Sequence, residues 1–152
     1  MKGVLARLAG ALALAALLGV EAIPVSAAPA SAACGVVLDV ANPDANARVS
    51  RGRLNIAGVA YDKNAKTGTG IDLITAFLGD RDAGGGSAAR PGGYIGAATL
   101  GLSNPLNSSG QFAKAGFNLK TLSLRKGKWT INIYARGTNC EAVASIPIRV
   151  DV

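Results

Sequence analysis

The sequence predicts an all-β protein: a seven-stranded antiparallel β-sandwich preceded by an N-terminal signal helix. Three observations carry this. Residues 128–136 alternate, with Trp129, Ile131, Ile133 and Ala135 on one parity and Thr130, Asn132, Tyr134 and Arg136 on the other. That period of two marks a half-buried strand, and Gly127 and Gly137 punctuate its ends. Elsewhere, short apolar runs alternate with Gly-, Asn- and Asp-rich turns, and no segment of helical period follows the N-terminal one. Setting aside the first 33 of 152 residues leaves 119 to fold, which suits a seven-stranded sandwich of roughly 100 residues.

Residues 1–33 have the layout of a secretory signal peptide. Lys2 and Arg7 give a positive start, residues 8–20 are uncharged and apolar, and residues 21–33 are rich in small side chains. The apolar run is shorter than the roughly 20 residues a spanning helix takes. Cleavage after Ala27, Ala32 or Ala33 satisfies the small-residue rule, and the sequence does not choose among them. Left uncleaved, the segment would be an anchor.

In the mature chain, strands are expected at 36–40, 53–61, 71–78, 94–100, 111–119, 129–136 and 142–150. In the second, Leu54, Ile56, Gly58 and Ala60 share the core-facing parity. In the third, Ile74, Ala76 and Leu78 share a face, with Ile71 displaced by a bend. The Asn-Pro-Asp-Ala-Asn cluster at 42–46 is a turn. Residues 62–70 form a loop, and residues 121–126 a connection that sends Leu122 or Leu124 to the core. Residues 79–110 form a Gly-rich irregular insert around the short fourth strand. A loop of that length in a small domain is either mobile or functional.

Cys34 and Cys140 are the only cysteines. An even count in an exported chain reads as a disulfide, and closing so long a loop contributes about 4–5 kcal/mol in the chain-entropy picture. Residues 31–34, Ser-Ala-Ala-Cys, also resemble a bacterial lipoprotein box, in which Cys34 would carry lipid. Such boxes have a larger aliphatic residue where Ser31 stands, and lipidation would leave Cys140 unpaired. The disulfide is the expectation and lipidated Cys34 the alternative.

Leu54-x-Ile56-x-Gly58-x-Ala60-Tyr61-Asp62, then Gly70-Ile71-Asp72-x-Ile74-x-Ala76-x-Leu78, then Leu119 and Leu124-x-x-Gly127-x-Trp129-x-Ile131-x-Ile133-Tyr134-Ala135 form a pattern. It resembles the immunoglobulin-like domains of secreted or surface bacterial proteins. The resemblance covers residues 34–152 and implies an immunoglobulin-like sandwich with an accessory or adhesive role outside the cytoplasm. It implies no activity. Neither strand that carries the usual inter-sheet disulfide has a cysteine here, and the 79–110 insert is longer than such domains need. In that topology Cys34 and Cys140 lie at one end, with loops 62–70, 101–110 and 137–140. Loops 41–52, 79–93 and 120–127 gather at the other.

The absence of histidine removes the commonest general base, zinc ligand and nucleophile partner. No catalytic residue, metal ligand or cofactor site is assigned. Net charge is +7, and +6 once Lys2, Arg7 and Glu21 leave with the signal segment. Arg48, Arg51, Arg53, Arg125, Lys126 and Lys128 form a candidate basic patch for an anionic polymer, with dispersed solubilising charge as the plainer reading. Tyr61, Tyr94 and Tyr134 are candidate exposed aromatics for stacking on sugars, whereas Trp129 has the core-facing parity. Asp62, Asp72, Asp80 and Asp82 could offer oxygens to calcium, but Arg81 opposes that and turn capping accounts for them. Residues 79–93 lack the phosphate-loop string, and the basic residues lack the aromatic interleaving of a nucleic-acid surface. The expectation is a non-catalytic module, secreted to the cell surface or periplasm, with an interaction or structural role at the envelope. Its partner would be a protein or glycan there. A carbohydrate- or anionic-polymer-binding protein is the alternative. Membrane contact requires lipidated Cys34 or an uncleaved signal.

Overall fold

The structure, a computed structural model, describes residues 34–83 and 93–151. The expected signal helix, its cleavage sites and residues 84–92 lie outside the described residues. The strands are β1 (Val36–Asn42), β2 (Ala47–Ser50), β3 (Gly52–Asp62), β4 (Ile71–Leu78), β5 (Gly93–Leu102), β6 (Gly116–Leu124), β7 (Gly127–Gly137) and β8 (Glu141–Asp151). One 3₁₀ turn, Arg81–Ala83, follows β4.

The described residues form eight strands where the sequence predicts seven, and they are mixed where it predicts antiparallel. The added strand is β2, which pairs parallel with the end of β8, Ala47 beside Ile148 through Ser50 beside Asp151. All eight join in one hydrogen-bonded sheet, in the order β1-β3-β6-β5-β4-β7-β8-β2, where the sequence predicts two stacked sheets. The cause is β5, whose first half pairs with β4 and whose second half pairs with β6. β5 carries an extra residue at Ile95 and another near Gly101. Such bulges bend a strand, and Gly101 takes φ +80°, a conformation side-chain-bearing residues seldom adopt.

The sheet curls back on itself. Its two margins, β1 and β2, are joined by residues 43–46 alone, a link that spans at most about 17 Å. β1 lies against β7 and β8. At the other end of β1 the Cys34–Cys140 disulfide, with Cα atoms 5.6 Å apart, staples it to the β7–β8 turn.

The curl encloses an aliphatic core: Ile56, Ile74, Leu78, Ile95, Phe117, Leu119, Leu124, Ile131, Ile133 and Val150 are all buried. Trp129 is half-buried at its margin, and its indole N–H donates to the Arg125 carbonyl at 2.9 Å. The strand expected at 111–119 lies at 116–124, so the expected connection 121–124 is strand and residues 111–114 are turn. β6 has one extra residue opposite β3 between Arg53 and Asn55. Thr121, 1% exposed, covers that break by accepting the Leu54 N–H at 2.9 Å. Leu124 reaches the core and Leu122 stays exposed.

Candidate functional site

The outer surface of β2, β8 and β7 is cationic. The register sets Arg48 beside Arg149, and Arg149 beside Lys128, in one row across three strands. Neighbours in such a row share a face, and like charges there destabilise a sheet. Asn46, Thr130 and Pro147 join them in lining a groove of about 420 Å³. Asp151 is the counter-charge, 2.9 Å from Arg149 Nε and 3.7 Å from an Arg48 nitrogen.

Of the predicted patch, Arg48 and Lys128 belong to this row. The β3–β6 ladder sets Arg53 beside Ser123 and Gly52 beside Leu124, so Arg51, Arg53, Arg125 and Lys126 adjoin the same end. None of these four, nor Lys128, forms an ion pair among the described residues. Arg149 escapes sequence reasoning, because β8 delivers it from far along the chain to a strand with no local signal.

The three tyrosines do not assemble. Tyr61 is half-buried, stacked on Phe112 at 4.5 Å. Tyr94 is 46% exposed. Tyr134, expected outside, is buried at 6% exposure, because residues 79–83 fold back over it. The Arg81 guanidinium lies 4.2 Å above its ring. The Tyr134 hydroxyl accepts the Arg81 backbone N–H and donates to Asp80. Arg81 is held in turn by two contacts to Glu141, at 2.9 and 2.7 Å, which keep its guanidinium protonated even more firmly than usual. Phe77 meets Tyr94 and Tyr134 edge-on, at 70° and 90°, so the rings present no coplanar platform.

The carboxylates are dispersed too. Arg136 grips Asp72 through two hydrogen bonds, 2.9 and 3.0 Å, and holds its carboxyl below the usual range. Asp80 caps the Asp82 N–H, and buried Asp62 caps that of Asn64. No metal-ligating cluster of three occurs among the described residues.

A second surface was not anticipated. The outer face of β1 and β3 carries apolar residues where solvent-facing residues are usually polar: Val37, Ala41, Ala57, Val59 and Tyr61 lie on it. Residues 103–115 form a wall beside it. Asn104, 3% exposed, pins that wall. Its N–H donates to the Ala113 carbonyl, its side-chain amide to the Phe112 carbonyl, and its side-chain oxygen accepts the Leu106 N–H. Gln111 ties the wall to the carbonyls of Ala65 and Gly68. The chain turns so closely over Gly116 that a β-carbon there would meet the Ser103 carbonyl oxygen.

Two grooves run under the wall, about 350 and 360 Å³, and they share Asp39, Val59 and Leu106. The signal for them was legible: Val37, Ala57 and Val59 make β1 and β3 apolar on both parities, more than one buried face requires.

No family model and no curated protein matches the chain. Among solved structures, domains 4 and 5 of the S-layer protein SbsC are similar to it, at 12% identity and a TM-score of 0.37, over 77% of this chain and 54% of that one. The chain thus spans about half the length of that structure. No helix among the described residues is long and apolar enough to cross a membrane. The fold and its outer surfaces define a disulfide-stapled, mixed β-protein with one cationic and one apolar outer face.

Proposed function

We propose that this chain is a non-catalytic, extracytoplasmic module of immunoglobulin-like strand order that binds polyanions through the β2–β8–β7 face. The Arg48–Arg149–Lys128 row carries the proposal. Strands lie about 4.8 Å apart, so the row brings three cations together with one carboxylate to offset them, a cost that folding alone gives no reason to bear. An anionic polymer relieves it. Arg51, Arg53, Arg125 and Lys126 extend the positive field along one end. The Cys34–Cys140 bridge supports an oxidising compartment, which fits the signal-like N-terminus. Division of the first strand between both sheet margins, with β4, β7 and β8 adjacent, supports the immunoglobulin-like reading.

The test is retention of the full chain on immobilised polyphosphate and on polyglutamate, at about 50 and about 200 mM salt. A polymer that sets two phosphates against the row should bind about sevenfold more weakly at the higher salt. The Lys128→Gln and Arg149→Gln variants should each flatten that dependence. Tighter retention on polyphosphate selects phosphate as the ligand chemistry, and tighter retention on polyglutamate selects carboxylate. Retention indifferent to salt and to both substitutions would overturn the proposal.

A further inference from the structure

The apolar face of β1 and β3 lies apart from the cationic row, and polyanion binding does not use it. Val59 is buried at 4% exposure. Leu106, on the pinned wall between the two grooves, is 74% exposed. An ordered loop holding a leucine in water beside an apolar hollow is a feature that folding does not require.

The hollow has a direction. One groove is lined at Ala41 and Ala57, and the other at Val37 and Tyr61, while both touch Asp39 and Val59. Going from Ala41, the bulged residue of β1, to Val37 is four residues, at most about 13 Å. Asp39 stands halfway, beside Val59 in the register. It is the single charged residue lining either groove, and it forms no ion pair among the described residues.

These spacings match an extended polypeptide. Side chains on one face of a strand recur every two residues, about 6.6 Å. Residues i and i+4 of such a segment therefore reach the two apolar lobes, and residue i+2 falls over Asp39. The geometry points to a docking site for an extended segment of a partner protein with apolar side chains at i and i+4 and a lysine or arginine at i+2. The apolar side chains leave water against Ala41, Ala57 and Leu106, which supplies the affinity. The cation pairs with Asp39, which sets the register. The wall is already fixed by Asn104 and Gln111, so little loop ordering opposes docking.

The experiment titrates the full, isotopically labelled chain with capped pentapeptides and follows its backbone amides by NMR. The probes are Leu-Thr-Lys-Thr-Leu, its Lys→Glu counterpart, and a shortened Leu-Lys-Thr-Leu that breaks the spacing. The first is expected to perturb the amides around Asp39, Val59 and Leu106. It should bind about two- to thirtyfold tighter than the glutamate form, the range set by turning an exposed ion pair into repulsion. Asp39→Lys should reverse that preference, a swap that loss of folding cannot imitate. Leu106→Ser, at an exposed position, should weaken both peptides. Lys128→Gln and Arg149→Gln should leave peptide binding unchanged, so this inference stands or falls apart from the polyanion proposal. Equal binding of the lysine and glutamate peptides, of the shortened peptide, or of none of them would overturn it. So would a concentration-dependent dimer that blocks the groove, because its occupant would then be a second copy.

Discussion

Asp151→Asn separates binding from stability more cleanly than removal of any cation. Asp151 sits at the end of β8 and contacts Arg149 at 2.9 Å and Arg48 at 3.7 Å. Asparagine keeps the shape and one acceptor oxygen but removes the charge, so the group Arg48, Arg149, Lys128 and residue 151 goes from +2 to +3. Stability should fall, since each exposed ion pair is worth about 0.2–1 kcal/mol and the row repels itself more. A loss of about 1 kcal/mol is expected in urea unfolding, with an unchanged denaturant slope. Polyanion affinity should move the other way. One more condensed counterion is released, which steepens the logarithmic salt dependence by about 0.7–0.9. Across a fourfold change in salt that is about a threefold larger drop in affinity, with tighter binding at the low-salt end. Paired unfolding and polyphosphate titrations of both proteins measure the two quantities. A variant that is less stable and also binds more weakly would refute the reasoning, because Asp151 would then be organising the site rather than competing with its ligand.

Three further outcomes follow from the fold. Thr121→Val should cost about 1–3 kcal/mol in denaturant unfolding, because the Leu54 N–H is left without its acceptor at the β6 break; Thr121→Ser, which retains the hydroxyl, should cost distinctly less. Replacing both Cys34 and Cys140 by serine should lower stability by about 4–5 kcal/mol, the chain-entropy value for a bridge with a sequence separation of 106. The Asp72 carboxyl, held low by its hydrogen bonds from Arg136, should titrate by NMR below the ordinary carboxylate value and move up in Arg136→Gln. The sign follows from the depressed folded value: the contribution is present above the unfolded pKa of about 3.9 and is lost as pH falls through the folded one.

What was legible in the sequence is what a strand decides locally. β4 begins and ends where its alternation does, and even the bend at Ile71 appears, as an extra residue between Ile71 and Leu73 opposite β7. β7 and β8 form the expected hairpin with an unbroken ladder. What escaped was decided between distant segments. Four residues, Ala47–Ser50, become a strand because β8 is there to receive them, and a run that short has no signal of its own. β6 lies further along the chain than Phe112 implied, because Phe112 stacks on Tyr61 outside the core, and Thr121 reads as a turn residue until its hydroxyl is seen replacing a missing backbone acceptor. Tyr134 has outward parity, but outward parity does not give exposure when a neighbouring turn folds over the ring. Arg48 and Lys128 are candidates from the sequence alone, yet Arg149, which the ladder sets between them, needed the register.

Two departures from the ordinary rules of a sheet surface remain after the fold is accounted for, and they are opposite in kind. On one outer face, cations stand side by side where alternating or opposite charges stabilise. On the other, Val37, Ala57 and Val59 occupy positions that usually meet water, and Leu106 is held out beside them. The inward cluster is complete with other residues of the same strands, Ile56 and Leu119 among them. Local violations that the rest of a structure does not need are where function is expected to reside. Here each carries its own chemical specification. The row, with Asp151 alone against three cations, calls for negative charge, and the hollow calls for an apolar segment with a single positive charge at its middle. A ligand suited to one is repelled or left unsatisfied by the other, so the two faces are expected to take different partners. A polyanion bound at the row would leave the β1–β3 face free to receive a protein segment, and the module would then link the two.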